Sequence, residues 1–225
     1  MVPKEGIYIF ATPSTWIRIK RTAKALTTQT TKMSQPKTLR PLNRFITTHN
    51  QQGKAIFSNA LPEEMPVREV ADGAHFSLAY TSSSFPAQLS NDADIPQYEH
   101  YLNNPPGIVI SSGSVCRIVD MAPSALSPMH RTVSLDYGVV LEGEVELVLD
   151  SGETRLLKKG DVAVQRGTNH AWRNVTPDVI GENNERVGQW ARMLYVLMPA
   201  KEIEVEGVGK LGEDGIGKIG VRSST

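Results

Sequence analysis

Between Pro128 and Asn174 the chain alternates short apolar runs with turn residues, and this rhythm limits the fold more than any other feature. Val139 to Leu141 is followed by Glu142, Gly143 and Glu144; Val145 to Leu149 is followed by Asp150, Ser151 and Gly152. Apolar segments of about five residues with glycine-bearing connections read as a β-meander. Alternate side chains of a strand share a face, so His130, Thr132, Ser134 and Asp136 fall together if the strand stays regular. His170, Trp172 and Asn174 share a face of a later strand by the same count. In a small barrel those two faces meet at the mouth, where such folds place their sites.

The residues of this stretch resemble the cupin superfamily. The first cupin motif has a glycine, a His-x-His pair, a Glu and a closing glycine; the second opens on glycine and ends in His-x3-Asn. Counting back from Gly143 puts Asp136 at the Glu place, His130 at the first histidine and Thr132 at the second. The second motif reads Gly160, Asp161, Gln165, Arg166, Gly167, His170 and Asn174, with Gln165 where proline is common. More narrowly, HRTVSLDYGVVLEGEVELVLD with VQRGTNHAWRN is similar to single-domain fungal cupin-domain oxidoreductases of polyketide secondary-metabolite clusters. The resemblance implies an all-β fold, a single cupin-type double-stranded β-helix (jelly-roll) barrel with an N-terminal β extension. It also implies a small-molecule enzyme of fungal secondary metabolism.

Two histidines and a carboxylate are the donor set that suits non-haem iron and its relatives, and His130, Asp136 and His170 supply it. The expected cofactor is a divalent transition metal, Fe, Mn, Ni or Zn, giving a metal-dependent cupin oxidoreductase. Thr132 stands against this, since a neutral hydroxyl replaces an imidazole ligand, and Asp136 reaches one methylene less than Glu. The same three side chains can also act without a metal: a near-neutral imidazole moves a proton and a carboxylate orients it. That reading gives a lyase or isomerase (dehydratase, decarboxylase or cyclase), and a non-catalytic ligand-binding cupin is a third. Thr132, Arg117, Trp172 and Arg192 are the candidate substrate-binding residues, the two arginines for a carboxylate or phenolate if they point inward. Asn174 reads as a structural hydrogen bonder, and Tyr137, next to Asp136, should face outward.

Lys and Arg total 24, as do Asp and Glu, so the whole chain has no general attraction for nucleic acid or anionic membrane. Cys116 is the only cysteine, which excludes an internal disulfide and suits a reducing compartment. No apolar run approaches the roughly 20 residues of a membrane span. Residues 1–38 read as a basic, disordered leader: the first forty residues hold eight Lys and Arg against Glu5 alone. The expected compartment is the cytoplasm, or the mitochondrion if residues 1–32 are a genuine leader; Met33 reads equally as an ordinary start.

Residues 39–106 read as the β extension, with a hairpin around His49 to Gly53, then a long loop. Its prolines Pro86, Pro96, Pro105 and Pro106 leave room for only a short helical turn near Gln97 to Leu102. Residues 107–200 read as the barrel, with Val115, Arg117, Val119 and Met121 on one face of a strand and QWARMLYVLM as the closing strand. Residues 201–225 read as a tail. Its Gly207 to Gly212 matches G-x-G-x-x-G, but too little chain follows for a βαβ unit, so no nucleotide cofactor is expected. Exposed strand edges call for cover, so the expected partners are a small-molecule substrate and a second copy, a homodimer to which residues 39–80 contribute.

Overall fold

A computed structural model describes residues 39–224; the basic leader lies outside them. The chain opens with β1 (Thr47–His49), β2 (Ala55–Phe57), β3 (Arg68–Glu69) and β4 (His75–Ser82), then a helix, α1 (Ile95–Asn103). The meander follows as β5 (Ser114–Met121), β6 (Ser134–Glu142), β7 (Glu144–Leu149), β8 (Thr154–Lys158), β9 (Val162–Arg166) and β10 (His170–Asn174). Two short strands, β11 (Val179–Ile180) and β12 (Arg186–Val187), precede β13 (Ala191–Pro199), and β14 (Ile203–Val205), β15 (Gly209–Leu211) and α2 (Ile216–Ile219) end the fold.

The strands form two main antiparallel sheets, ordered β3-β4-β5-β13-β6-β9 and β10-β7-β8. Their apolar faces enclose one core: Val119, Val140, Ala163 and Met193 of the larger sheet pack with Val145, Leu157 and Trp172 of the smaller. This is a double-sheet jelly roll, the form that the sequence resemblance implies. The expected closing strand, β13, runs through the middle of the larger sheet, bonded to β5 on one side and β6 on the other. Alternation along β5 is as read from the sequence, with Val115, Arg117, Val119 and Met121 all buried.

The glycine turns work as the spacing requires. Gly143 connects β6 to β7 at φ +79, and a Cβ there would stand 2.3 Å from Thr176 Oγ1, so both the backbone and the space demand glycine. Two expectations need correction. The stretch 95–103 is a nine-residue helix rather than a turn, because Pro96 sits in its first turn, where a missing N–H costs nothing. The C-terminal segment is not a loose tail: α2 buries Ile216 and Ile219, and Arg131 and Asp214 exchange both backbone hydrogen bonds at 2.9 and 3.1 Å. The Gly207 to Gly212 stretch runs through the turn after β14 and along β15, one arm of an antiparallel hairpin rather than the opening of a βαβ unit. No helix among the described residues is long and apolar enough to cross a membrane.

Candidate functional site

A cavity between the two sheets takes His130, Thr132, Asp136, His170, Trp172 and Arg117 into its lining. Six of the seven residues singled out from the sequence therefore converge. The seventh, Arg192, does not: it is buried in a fork with Asp120, Nε to Oδ1 and Nη2 to Oδ2 both at 2.6 Å, and donates to the Arg40 carbonyl. Arg192 and Asp120 are cross-strand neighbours in β13 and β5, so this guanidinium is consumed by a structural pair, and the substrate-binding expectation for it is corrected.

His130 and His170 are tied by an isolated antiparallel bridge, each donating its backbone N–H to the other's carbonyl at 2.9 Å. Their rings lie 4.4 Å apart, tilted by 50°. Each ring Nδ1 stands 2.9 Å from the carbonyl two residues earlier, Pro128 O for His130 and Thr168 O for His170. A carbonyl only accepts, so Nδ1 carries the proton on both rings and Nε2 holds the lone pair. Burial lowers the pKa of His130, and burial together with the His130 ring lowers that of His170 to about 4. Both imidazoles are thus neutral bases at neutral pH.

Asp136 is buried and its carboxyl is pushed up to about 6, burial outweighing the hydrogen bonds from Ser134 and Thr132 and the Arg117 charge. Thr132 Oγ1 lies 3.3 Å from Asp136 Oδ2 and takes a bond from Ser134 Oγ at 2.7 Å, while Asp136 Oδ1 is buried with no hydrogen-bond partner. The hydroxyl at the second-histidine place therefore serves the carboxylate. Among the described residues no three His, Cys, Asp or Glu side chains stand close enough to hold a metal ion. The trio expected as a ligand set shares a cavity without closing on one point, and two Nε2 atoms are what it offers a cation. A three-donor metal centre does not fit this arrangement.

Two lining residues escaped sequence reading. Tyr195 lines the same cavity and donates its hydroxyl only to Met193 Sδ at 3.0 Å; burial, then the Asp136 charge, hold it well above the usual phenol range. It is consequently a neutral donor. Gln165 is opposite Asp136 in the β6–β9 register and accepts from Thr168 Oγ1 at 2.5 Å. Alternation from the buried Met193 and Leu197 places Tyr195 inward, and that signal was available. Asn174 is structural as read: its Nδ2 donates to the Met121, Ala122 and Gln189 carbonyls. Tyr137 faces outward, as expected.

The model of the Cupin domain family matches residues 117–180, the span that carries Arg117, His130, Asp136 and His170. Phomopsin biosynthesis cluster protein D of Diaporthe leptostromiformis is 48% identical over 179 residues, covering 80% of this chain and 89% of that protein. Oryzines biosynthesis cluster protein J of Aspergillus oryzae is 47% identical, covering 76% and 90%. The cupin-domain-containing oxidoreductase virC of Hypocrea virens is 39% identical, covering 76% and 82%.

Proposed function

From the premise that this chain belongs to the cupin-domain family of fungal biosynthesis-cluster proteins, we propose that it is a small-molecule enzyme of secondary metabolism, an oxidoreductase acting on a polyketide-type substrate. The observation that carries the reading is the pair of neutral imidazoles, each with Nδ1–H fixed by a carbonyl and Nε2 free as a base, set in the wall of a mostly apolar cavity. An oxidation of this kind removes two hydrogens from the substrate: His170 or His130 takes a proton at Nε2, and the two electrons pass to dioxygen, which with two protons becomes hydrogen peroxide. With the rings 4.4 Å apart only one of the two becomes charged, and the other remains an acceptor. Asp136, whose carboxyl titrates at about 6, returns a proton or holds one in the same cavity. Tyr195, kept neutral by burial, hydrogen-bonds the developing oxyanion.

A metal-independent lyase or isomerase is the second reading, favoured by one observation: Thr132 bonds Asp136, and the two histidines lack a third donor. Both readings share the proton step, so deuterium exchange tests it directly. Enolisable ketones incubated in heavy water with the protein should exchange their α-hydrogens, and His170→Ala should lose that exchange. Equal exchange by the variant would overturn the assignment. Oxygen-dependent loss of two hydrogens from a turned-over ketone supports the oxidoreductase; a product formed with no oxidant selects the lyase or isomerase.

The protein also acts, on this proposal, as a homodimer. The support is the β1–β2 hairpin, whose Ile56 and Phe57 are exposed together with Phe45 just before β1.

A further inference from the structure

Arg117 is the one guanidinium in the cavity wall and it is 6% exposed. Its Nη2 donates to the Gly107 carbonyl at 3.0 Å and its head lies 5.1 Å from the centre of the Phe76 ring. Among the described residues it has no ion pair within 4.0 Å. The opposite charge that acts on it is Asp136, and the like charge of Arg68 opposes that. A cation taken out of water without a contacting anion is strongly disfavoured, and a protein keeps one where something else supplies the anion. Arg192 shows the contrast within the same sheet, since it is equally buried but fully engaged by Asp120.

Arg117 also belongs to two spaces at once. Beyond the histidine cavity lies a second one, which shares Phe76 and Arg117 with the first. Its remaining walls are largely apolar, with Val70, Leu78, Tyr101 and Val221, and Arg68 adds a second guanidinium. Arg117, buried among apolar walls, with Arg68 exposed at the rim of the second space, complements a molecule that is anionic at one end and apolar along its body.

We propose that the natural ligand of this site is an amphipathic carboxylate whose carboxylate pairs with Arg117 at the wall common to the two cavities. The guanidinium fork matches the two carboxylate oxygens, and the apolar body lies along Phe76 and its neighbours with the reacting carbon toward the histidines. Asp136 is the acidic group on the same side as Arg117, and Asp72 lines the cavity as well. Asp136 is already close to giving up its charge, so it yields to an incoming anion rather than barring it. The inference rests on the reading of this cavity as the substrate site, but it concerns recognition and is measured without turnover.

Octanoate, methyl octanoate and octanol are the probes, with binding read by calorimetry and by thermal shift. Octanoate should bind the wild-type protein at least about tenfold more tightly than the ester or the alcohol, as expected for a charge-assisted contact. Arg117→Met should erase that preference, weakening octanoate by about tenfold or more and leaving the ester unchanged or tighter. The ligand-free variant should melt no lower than the wild type, because removing a buried cation without a contacting anion relieves a penalty. Equal binding of octanoate and its ester to the wild type, no octanoate binding, or an Arg117→Met protein that keeps the preference would each overturn the proposal. If the variant does not fold, the wild-type comparison of the three probes decides alone. Octanoate binding with no deuterium exchange on any ketone would leave this inference standing and remove the catalytic one.

Discussion

Burial moves the protonation of Asp136 and His170 in opposite directions. Raised from 3.8 to about 6, the Asp136 carboxyl holds its proton more tightly in the folded chain than in the unfolded one. Its stabilising effect is therefore complete below 3.8 and is lost as pH rises through 6. The imidazole of His170, lowered to about 4, does the reverse: stability is lost as pH falls from 6.5 through 4. Between pH 4 and 6 the two slopes oppose each other, and the wild-type stability should be shallow there. Asp136→Asn removes one of them. Urea unfolding at a series of pH values should show a gain that is absent near pH 4 and reaches, above pH 6, at most ~3 kcal/mol; a gain of constant size across the series would mean that Asp136 titrates normally. For the reaction, kcat/KM should persist at pH 5 to 6, where an ordinary imidazole is protonated, and should fall only as pH approaches 4. Elemental analysis of protein purified without a metal-binding tag should find less than one equivalent of transition metal, in keeping with two nitrogen donors. Near-stoichiometric metal that disappears in His170→Ala would show that the ligand set closes on an ion after all. The convergence of His130, Asp136 and His170 was legible from strand parity and motif spacing. The direction of the Asp136 carboxylate toward Thr132 was not, because it depends on a hydroxyl pair two and four residues away on an irregular segment.

Within the smaller sheet, the edge strand β10 is paired along β7 and is tied to the larger sheet by the side chain of Asn174. Asn174 spans from β10 to the end of β5 at Met121 and Ala122 and to Gln189 before β13, and its Oδ1 accepts from Thr176 N at 2.9 Å. Buried carbonyls left without a donor are costly, so Asn174→Ala should destabilise the fold by ~2–4 kcal/mol, read from urea midpoints with an unchanged slope. A loss below ~0.5 kcal/mol would mean that water or a neighbouring N–H replaces the amide. The elements that the sequence disclosed are those whose period is strict: β5 alternates along its whole length, and the turns at Gly143 and Gly152 sit at positive φ. The elements it concealed lack such a signature. The helix α1 starts on Ile95 and Pro96, and a proline in a first turn reads like a proline in a loop. The short helix α2, with three glycines in and around it, gains its order from packing Ile216 and Ile219 and from the bridge of Asp214 to Arg131. These are contacts over long sequence separation, which no local pattern announces.

At the scale of the molecule, the N-terminal hairpin is incomplete by itself. The strands β1 and β2 pair only with each other, and two-stranded hairpins are marginal in water without a face to pack on. Phe45, Ile56 and Phe57 are 60%, 44% and 65% exposed, with the two phenyl rings in edge contact at 6.2 Å. The larger sheet meanwhile ends at β9, whose outer edge is unpaired within the described residues and whose Val162 and Val164 are exposed beside Tyr137 of β6. One chain therefore carries both an apolar hairpin needing cover and an apolar open edge that needs closing. In the proposed homodimer a second copy would supply each to the other, and a twofold axis would make the exchange reciprocal. Light scattering coupled to size exclusion should give a dimer at micromolar concentration, and Phe57→Glu together with Val164→Glu should convert it to a monomer with the histidine cavity intact. A wild-type monomer at that concentration would remove the dimer. A dimer that survives both glutamates would move its interface away from the hairpin and β9, and the exposed aromatic pair would then require another partner.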